Sequence, residues 1–430
     1  MNKAQIEELY QWYTNGTGVS IDSRTVEEGN IFFALKGENY DANVFALAAL
    51  NDGANLAVVD DPVIAANDRL FFVEHSLTAL QELAAYHRST FEIPIVAITG
   101  SNGKTTTKEL ISVILAKKYK TTATVGNLNN QIGVPITLLS MPKDTEIAII
   151  ELGANHVNEI AMLCEIAKPT HGLITNIGKA HTEGFGGLDG VSKGKGELYN
   201  YLFDHGGEVF INSYDPILIE MGERFVSPMY YPSEGDFYSC KLKGKDPFLE
   251  IETESGIVVK TKLLGDYNFD NIATALCVGK YFEIEEPKAI DALQNYEPKE
   301  NRSQVIRRGT NTIILDAYNA NPSSMKVALD NFNDMKSSRK VLILGDMNEL
   351  GNLSKDEHQL LVENTADPRY EQVFLCGELI GKAAHINPEA KYFLSTETLI
   401  EYLRENPIEN SLVLIKASRS IGLEEILEVF

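Results

Sequence analysis

The feature that most constrains this chain is a short apolar run with a glycine-rich loop attached to it. Ile95-Val96-Ala97-Ile98 lacks polar alternation, the pattern of a strand buried on both faces of a parallel sheet. It leads straight into Thr99-Gly100-Ser101-Asn102-Gly103-Lys104-Thr105-Thr106, and a helical stretch continues from Thr106 to about Lys118. In such a strand–loop–helix, glycines let backbone N–H groups approach phosphate oxygens and the helix N-terminus adds positive dipole. Lys104 can reach the outer phosphates and Thr105 can ligate Mg²⁺. Only Ser101 and Asn102 separate Gly100 from Gly103, where the usual phosphate loop has four residues. A Gly-Lys-Thr string arising by chance in a loop is the competing reading.

The same alternation of apolar runs and helical stretches fills most of the chain. Ile31 to Leu35, Leu56 to Val59 and Leu70 to Val73, followed by a helical stretch from Leu77 to about Arg88, read as a small α/β domain. After Pro94 come the run Ile147 to Ile150, a helix near Asn158 to Ala167 and the run Gly172 to Thr175. From Thr312 onward Ile313 to Leu315, Val341 to Leu344, Val373 to Leu375 and Leu412 to Ile415 are spaced by helical segments, as in a doubly wound sheet. Between these blocks, Gly235 to Leu264 alternates as antiparallel strands do, and Asn295-Tyr296-Glu297-Pro298 is the candidate linker. With 430 residues the chain exceeds what one core sustains. The expected fold is α/β in three domains, over 1–93, 94–298 and 299–430.

A formal charge of −23 disfavours nucleic acid and anionic membrane, so any phosphate-bearing substrate must find a local basic pocket. The residues MNKAQIEELYQWY lack the pattern of a signal peptide and no long apolar run follows, so a cytoplasmic location without membrane insertion is expected. Cys164, Cys240, Cys277 and Cys376 are scattered, the distribution of buried reduced thiols and not of a zinc site or disulfide framework.

Two further residues stand where open α/β sheets place ligand chemistry. Glu151 ends an apolar run and offers a hard oxygen to Mg²⁺, or is a strand-end carboxylate facing water. His181, in the loop after the run ending at Thr175, is a candidate metal ligand or a hydrogen-bonded structural histidine.

Taken in order, Gly126-Asn127-Leu128-Asn129-Asn130-Gln131-Ile132-Gly133-Val134-Pro135, Glu151-Leu152-Gly153-Ala154-Asn155-His156, Ala180-His181-Thr182-Glu183-Gly184-Phe185-Gly186 and Lys195-Gly196-Glu197 resemble the Mur ligase superfamily. Asp22-Ser23-Arg24 and Phe33 to Glu38 before them, and Asp316 to Pro322, Gly345 to Gly351 and Lys416 to Arg419 after them, resemble its MurF type. The resemblance implies a small N-terminal domain for a UDP-sugar, a central P-loop domain with a parallel sheet for ATP, and a C-terminal Rossmann-like domain for the incoming amine. It implies ligation of D-alanyl-D-alanine to UDP-N-acetylmuramoyl-tripeptide through an acyl phosphate, with ATP and Mg²⁺ required; a monomer is expected.

By the same resemblance, Gly100, Ser101, Asn102, Gly103, Lys104, Thr105 and Thr106 hold the phosphates, and Asn271, Arg302 and Asp316 reach the nucleotide. Thr105 and Glu151 take a first Mg²⁺; His181 and Lys195 serve a second, with Lys195 carbamylated by CO₂. Ser23, Arg24 and Lys36 are candidates for the UDP end, and Asn321, Asp346 and Arg419 for the dipeptide or for domain closure. Read by composition alone, Lys195 is a surface lysine.

Three positions depart from the family pattern. They are Asp41-Ala42-Asn43 for Asp-Gly-His, Tyr267-Asn268 for His-Asn, and Leu315-Asp316 for a double aspartate. The rival readings are a sister ligase adding a single amino acid, a folylpolyglutamate synthase, and a P-loop ATPase switch.

Overall fold

The computed structural model describes residues 1–64, 67–178, 182–245, 247–298 and 301–430. Strands β1 (Gly18–Ser20), β2 (Asn30–Phe33), β3 (Leu56–Val59) and β4 (Leu70–Phe72) form a parallel sheet in chain order. The central sheet contains β5 (Ile95–Thr99), β6 (Thr121–Ala123), β7 (Ile147–Glu151), β8 (His171–Ile174), β9 (Glu208–Asn212) and β10 (Met229–Tyr231). It is parallel throughout, in the order β10-β9-β8-β5-β7-β6. Every residue of β5 and of β7 is buried, as unbroken apolar runs require in a sheet covered on both faces. The chain leaves β5 to one side for β6 and β7, then to the other for β8, so a crevice opens at the carboxyl end of β5.

The alternating segment forms its own antiparallel sheet of β11 (Lys241–Gly244), β12 (Phe248–Glu252) and β13 (Val258–Leu264). Alternate residues of β12 and β13 are buried. The C-terminal sheet contains β14 (Gln304–Arg308), β15 (Asn311–Asp316), β16 (Lys340–Gly345), β17 (Tyr370–Cys376), β18 (Lys391–Phe393) and β19 (Leu412–Lys416). Its order is β14-β15-β19-β16-β17-β18, antiparallel only between β14 and β15.

The cores set how these sheets are joined. One apolar cluster runs from Leu9, Ile31, Val58 and Leu80 of the first sheet's domain to Ile95, Val134, Ile150 and Leu163 of the central one. The opposite face of the central sheet packs on the helices Lys104–Leu115 and Tyr267–Tyr281 and on the antiparallel sheet. The C-terminal sheet has separate cores on its two faces. All four cysteines are buried and free. Among the described residues no helix is long and apolar enough to cross a membrane.

Candidate active site

At the carboxyl end of β5 the chain must turn sharply into a helix, and its glycines make this possible. Gly100 and Gly103 have φ of +142° and +81°, and a Cβ at either would lie 2.0 Å from Thr175 Oγ1 or 2.6 Å from Asn271 Oδ1. The loop after β8 cradles the turn. Ser101 Oγ donates to Gly178 O at 3.1 Å, Asn102 N to Asn176 Oδ1 at 3.1 Å, and Thr175 Oγ1 to Asn102 O at 2.6 Å. Lys104 Nζ is held by Gly100 O at 2.6 Å and Ser101 O at 3.2 Å, and its burial lowers its proton affinity.

Glu151 is 1% exposed, which excludes the reading of a strand-end carboxylate facing water. Its Oε2 accepts from Thr105 Oγ1 at 2.8 Å and its Oε1 from Asn129 Nδ2 at 2.7 Å. A hydroxyl, a carboxylate and an amide therefore meet at the first turn of the helix Lys104–Leu115.

This cluster lies on a cavity of about 700 Å³ whose far wall is built by the C-terminal domain. Arg302, Ser303, Asp316, Tyr318, Asn321 and Lys416 line it opposite residues 101–106. Asp316 Oδ2 accepts from Lys416 Nζ at 2.5 Å, its partner by strand register, and Asp316 Oδ1 accepts from Ser303 N at 3.1 Å. Arg302 stacks on Tyr318 with its guanidinium 3.4 Å from the ring centre, leaving Nε buried without a hydrogen-bond partner. Asn321 caps the helix Pro322–Asp334 through Oδ1 while its Nδ2 donates across the cavity to Asn102 Oδ1 at 2.9 Å.

Family profiles match the chain in three consecutive parts: "Mur ligase family, catalytic domain" over 16–88, "Mur ligase middle domain" over 98–279, and "Mur ligase, glutamate ligase domain" over 301–419. The UDP-N-acetylmuramoyl-tripeptide--D-alanyl-D-alanine ligase of Bacillus subtilis (strain 168) is 32% identical over 96% of this chain and 92% of its own. The chain belongs to the Mur ligase family. Its fold matches the crystal structure of MurF from Acinetobacter baumannii with a TM-score of 0.85 at 30% identity, covering 99% of this chain and 97% of that one. The MurF ligase of Thermotoga maritima, solved in complex with ADP, gives 0.84 at 27% identity over 97% of each chain.

In this Mur ligase the structure gathers some of the expected residues and separates others. Lys195, 1% exposed, lies behind the cavity wall and donates to Ala154 O at 3.2 Å. It is therefore no surface lysine. Burial, reinforced by the charge of Lys104, lowers its pKa to about 7. Asn271 lines the cavity with its amide engaged by Thr107 and Asn268. His181 lies outside the described residues.

Ser23, Arg24 and Lys36 sit on the N-terminal domain away from the cavity, Arg24 paired with Asp22 at 2.6 Å and Lys36 with Asp41 at 2.7 Å. Asp346 is buried off the cavity, accepting from the backbone N–H of Leu379 and Ile380 at a helix start. Arg419 is exposed beside the Tyr318 ring.

The departures acquire reasons as well. Asn43 is buried and bridges Asp41 to Asp60, each at 2.7 Å, so its amide is committed within the domain. Leu315 faces the core, on the opposite side of β15 from Asp316. Asn129, Asn176, Lys416 and Glu197 escaped assignment from sequence. Asn129 and Glu197 both stood inside strings that resemble the family, but Glu197 binds Asn158 N and Ala161 N at the start of a helix far away in sequence.

Proposed function

We propose that this chain joins D-alanyl-D-alanine to UDP-N-acetylmuramoyl-tripeptide using ATP, in peptidoglycan precursor synthesis. The observation carrying this reading is the single cavity in which the phosphate loop and Glu151 face Arg302 and Asp316 of the C-terminal domain. In the reaction the tripeptide's terminal carboxylate attacks the γ-phosphorus of ATP, ADP leaves, and an acyl phosphate forms. The dipeptide amine then attacks the acyl carbon, loses a proton, and expels phosphate. A carboxylate alone resists amine attack, so activation is the step the site must serve.

Lys104 and the stacked Arg302 supply positive charge on two sides of the phosphates, where charge shifts during transfer. Thr105 and Glu151, joined at 2.8 Å, are the residues that would hold Mg²⁺. One carboxylate and one hydroxyl suit an ion that takes one or two carboxylates and completes its shell with phosphate and water. Mg²⁺, when bound, neutralises phosphate charge and orients its oxygens.

Carbamylation of Lys195 belongs to the proposal. A buried amine with a pKa of about 7 is substantially neutral at physiological pH and can add CO₂, and the carbamate replaces a cation by an oxygen ligand. The phosphate loop residues with Asn271 and Asp316 are proposed for ATP, and His181 for a metal. Ser23, Arg24 and Lys36 are proposed for the UDP end, and Asn321, Asp346 and Arg419 for the dipeptide side or for closure. A cytoplasmic monomer organised over 1–93, 94–298 and 299–430 completes the reading.

The sister-ligase and folate readings give way because a relative matched along almost its whole length carries the dipeptide-adding name. A matrix of UDP-tripeptides, bearing lysine or diaminopimelate, against D-alanyl-D-alanine and single amino acids tests this by phosphate release. Full turnover is expected only with ATP, tripeptide and dipeptide together. Equal turnover with a single amino acid, or without any acceptor, would overturn it.

A further inference from the structure

The helix Tyr267–Tyr281 belongs to the central domain, whereas Ser303 is the residue before β14, the first strand of the C-terminal one. Their hydroxyls meet at 2.6 Å. Ser303 Oγ also lies 3.3 Å from Asp316 Oδ1, and Asp316 in turn binds Lys416. A line of polar contacts thus runs from the central domain through the start of the C-terminal domain to the strand ends that form the cavity's far wall. Tyr267, Ser303, Asp316 and Lys416 all line that cavity.

The backbone here is under strain. Asn301 and Ser303, which flank Arg302, have φ of +56° and +50°, a left-handed conformation that asparagine tolerates but that strains serine. Hydrogen bonds from Ser303 N and Oγ to Asp316 and the contact with Tyr267 hold the second of them in place. Gly265, at φ +81°, makes room for the arrangement, because a Cβ there would come within 2.3 Å of the Tyr267 ring and 2.6 Å of Asn331 from the C-terminal domain.

We infer that Tyr267 is a positioning residue, whose phenol clamps Ser303 and thereby fixes the strained hinge that aims Arg302 and Asp316 at the nucleotide. This rests on the ligase reading for what the nucleotide does, but not for whether it binds. The clamp favours the arrangement in which both domains hold the nucleotide, so its loss lowers nucleotide affinity more than the rate of the chemical step.

The test uses full-length Tyr267→Phe, Ser303→Ala and the double variant, with ADP affinity by calorimetry and KM for ATP and kcat by phosphate release. Each single variant should weaken ADP binding and raise KM about fivefold, the worth of one neutral hydrogen bond, with kcat within about twofold. The double variant should be no worse than Ser303→Ala alone, since that substitution already removes the contact Tyr267→Phe removes, together with the Ser303 bond to Asp316. Wild-type ADP affinity in Tyr267→Phe, or penalties that multiply in the double variant, would overturn the clamp. Failure of ligation in a wild type whose ADP affinity depends on both hydroxyls would overturn the ligase reading while supporting the clamp.

Discussion

Where the N-terminal sheet meets the central one, apolar side chains from both domains pack as one cluster, and Arg88 is buried in the seam. Its guanidinium donates to the carbonyls of Ala167, Phe91, Ile93 and Lys168 at 2.7–3.3 Å, and Tyr13 Oη donates to Leu139 O at 2.5 Å. Where the C-terminal domain meets the central one, Leu264 and Phe248 reach into the C-terminal apolar core, and the contacts beside the cavity are hydroxyls, amides and ion pairs: Tyr267 with Ser303, Asn321 with Asn102, and Lys245 between Asp266 and Asp334. A shared core resists opening because separation exposes apolar surface to water. Polar contacts exchange readily with water, at about 1 kcal/mol each. The first junction should therefore cost more to open than the second. The cavity lies at the second.

The contrast is broken most severely at the phosphate loop. Lys104→Ala removes a charge from the floor of the cavity, and kcat for ligation should fall by about 10²–10³. Thermal unfolding should change little, because among the described residues the hydrogen bonds of Lys104 Nζ go to its own loop. Near-normal ligation by this variant would remove the phosphate loop from the chemistry.

At the first junction the effect should be the reverse. Arg88→Met leaves four carbonyls without their donor and should cost about 3 kcal/mol of stability, seen as a lower midpoint in denaturant. The folded fraction should retain its kcat. A variant as stable as the wild type would mean that the apolar seam alone holds this junction.

Lys195 sharpens the comparison through pH. Its pKa of about 7 in the folded chain lies below the ordinary 10.5, so between those values the unfolded chain binds the proton more tightly. Stability owed to this residue therefore grows as pH rises from about 7 toward 10.5, and below 7 the cost of burying the charge is present in full. In CO₂-free buffer the wild type should gain on Lys195→Met by on the order of 1 kcal/mol per pH unit across that window. Parallel stability curves would place the amine in water.

The smallest effect belongs to Asn321→Ser. Serine keeps the helix cap but is too short to reach Asn102, so KM for ATP should rise a fewfold at unchanged melting temperature. A drop in melting temperature would make this contact part of the fixed structure.

What could be read from the sequence follows the range of the interactions. The strand–loop–helix around Lys104 and the buried strand ending at Glu151 were legible because strand, loop and helix are contiguous and their apolar runs have no alternation. The antiparallel segment showed itself by its period of two. Composition alone made Lys195 a surface residue and only the ordered motifs around it pointed inward, because nothing in its own run reveals that Phe185 and Ala154 cover it. Asp346 sits in a family-like string yet serves a helix that begins more than thirty residues later. The Tyr267 contact with Ser303 spans two domains, and Arg88 binds carbonyls on both sides of a seam that sequence does not mark. Tertiary placement made these roles, and no local pattern carries it.

Hydrogen–deuterium exchange read by mass spectrometry examines both junctions at once. On adding ADP together with the UDP-tripeptide, amides of residues 301–303 and 319–321 should gain protection as the C-terminal domain closes. Amides of the helices Lys3–Asn15 and Ser76–Arg88 at the first junction should exchange as before. Equal changes at both junctions, or none at the second, would contradict the division into a fixed seam and a working one.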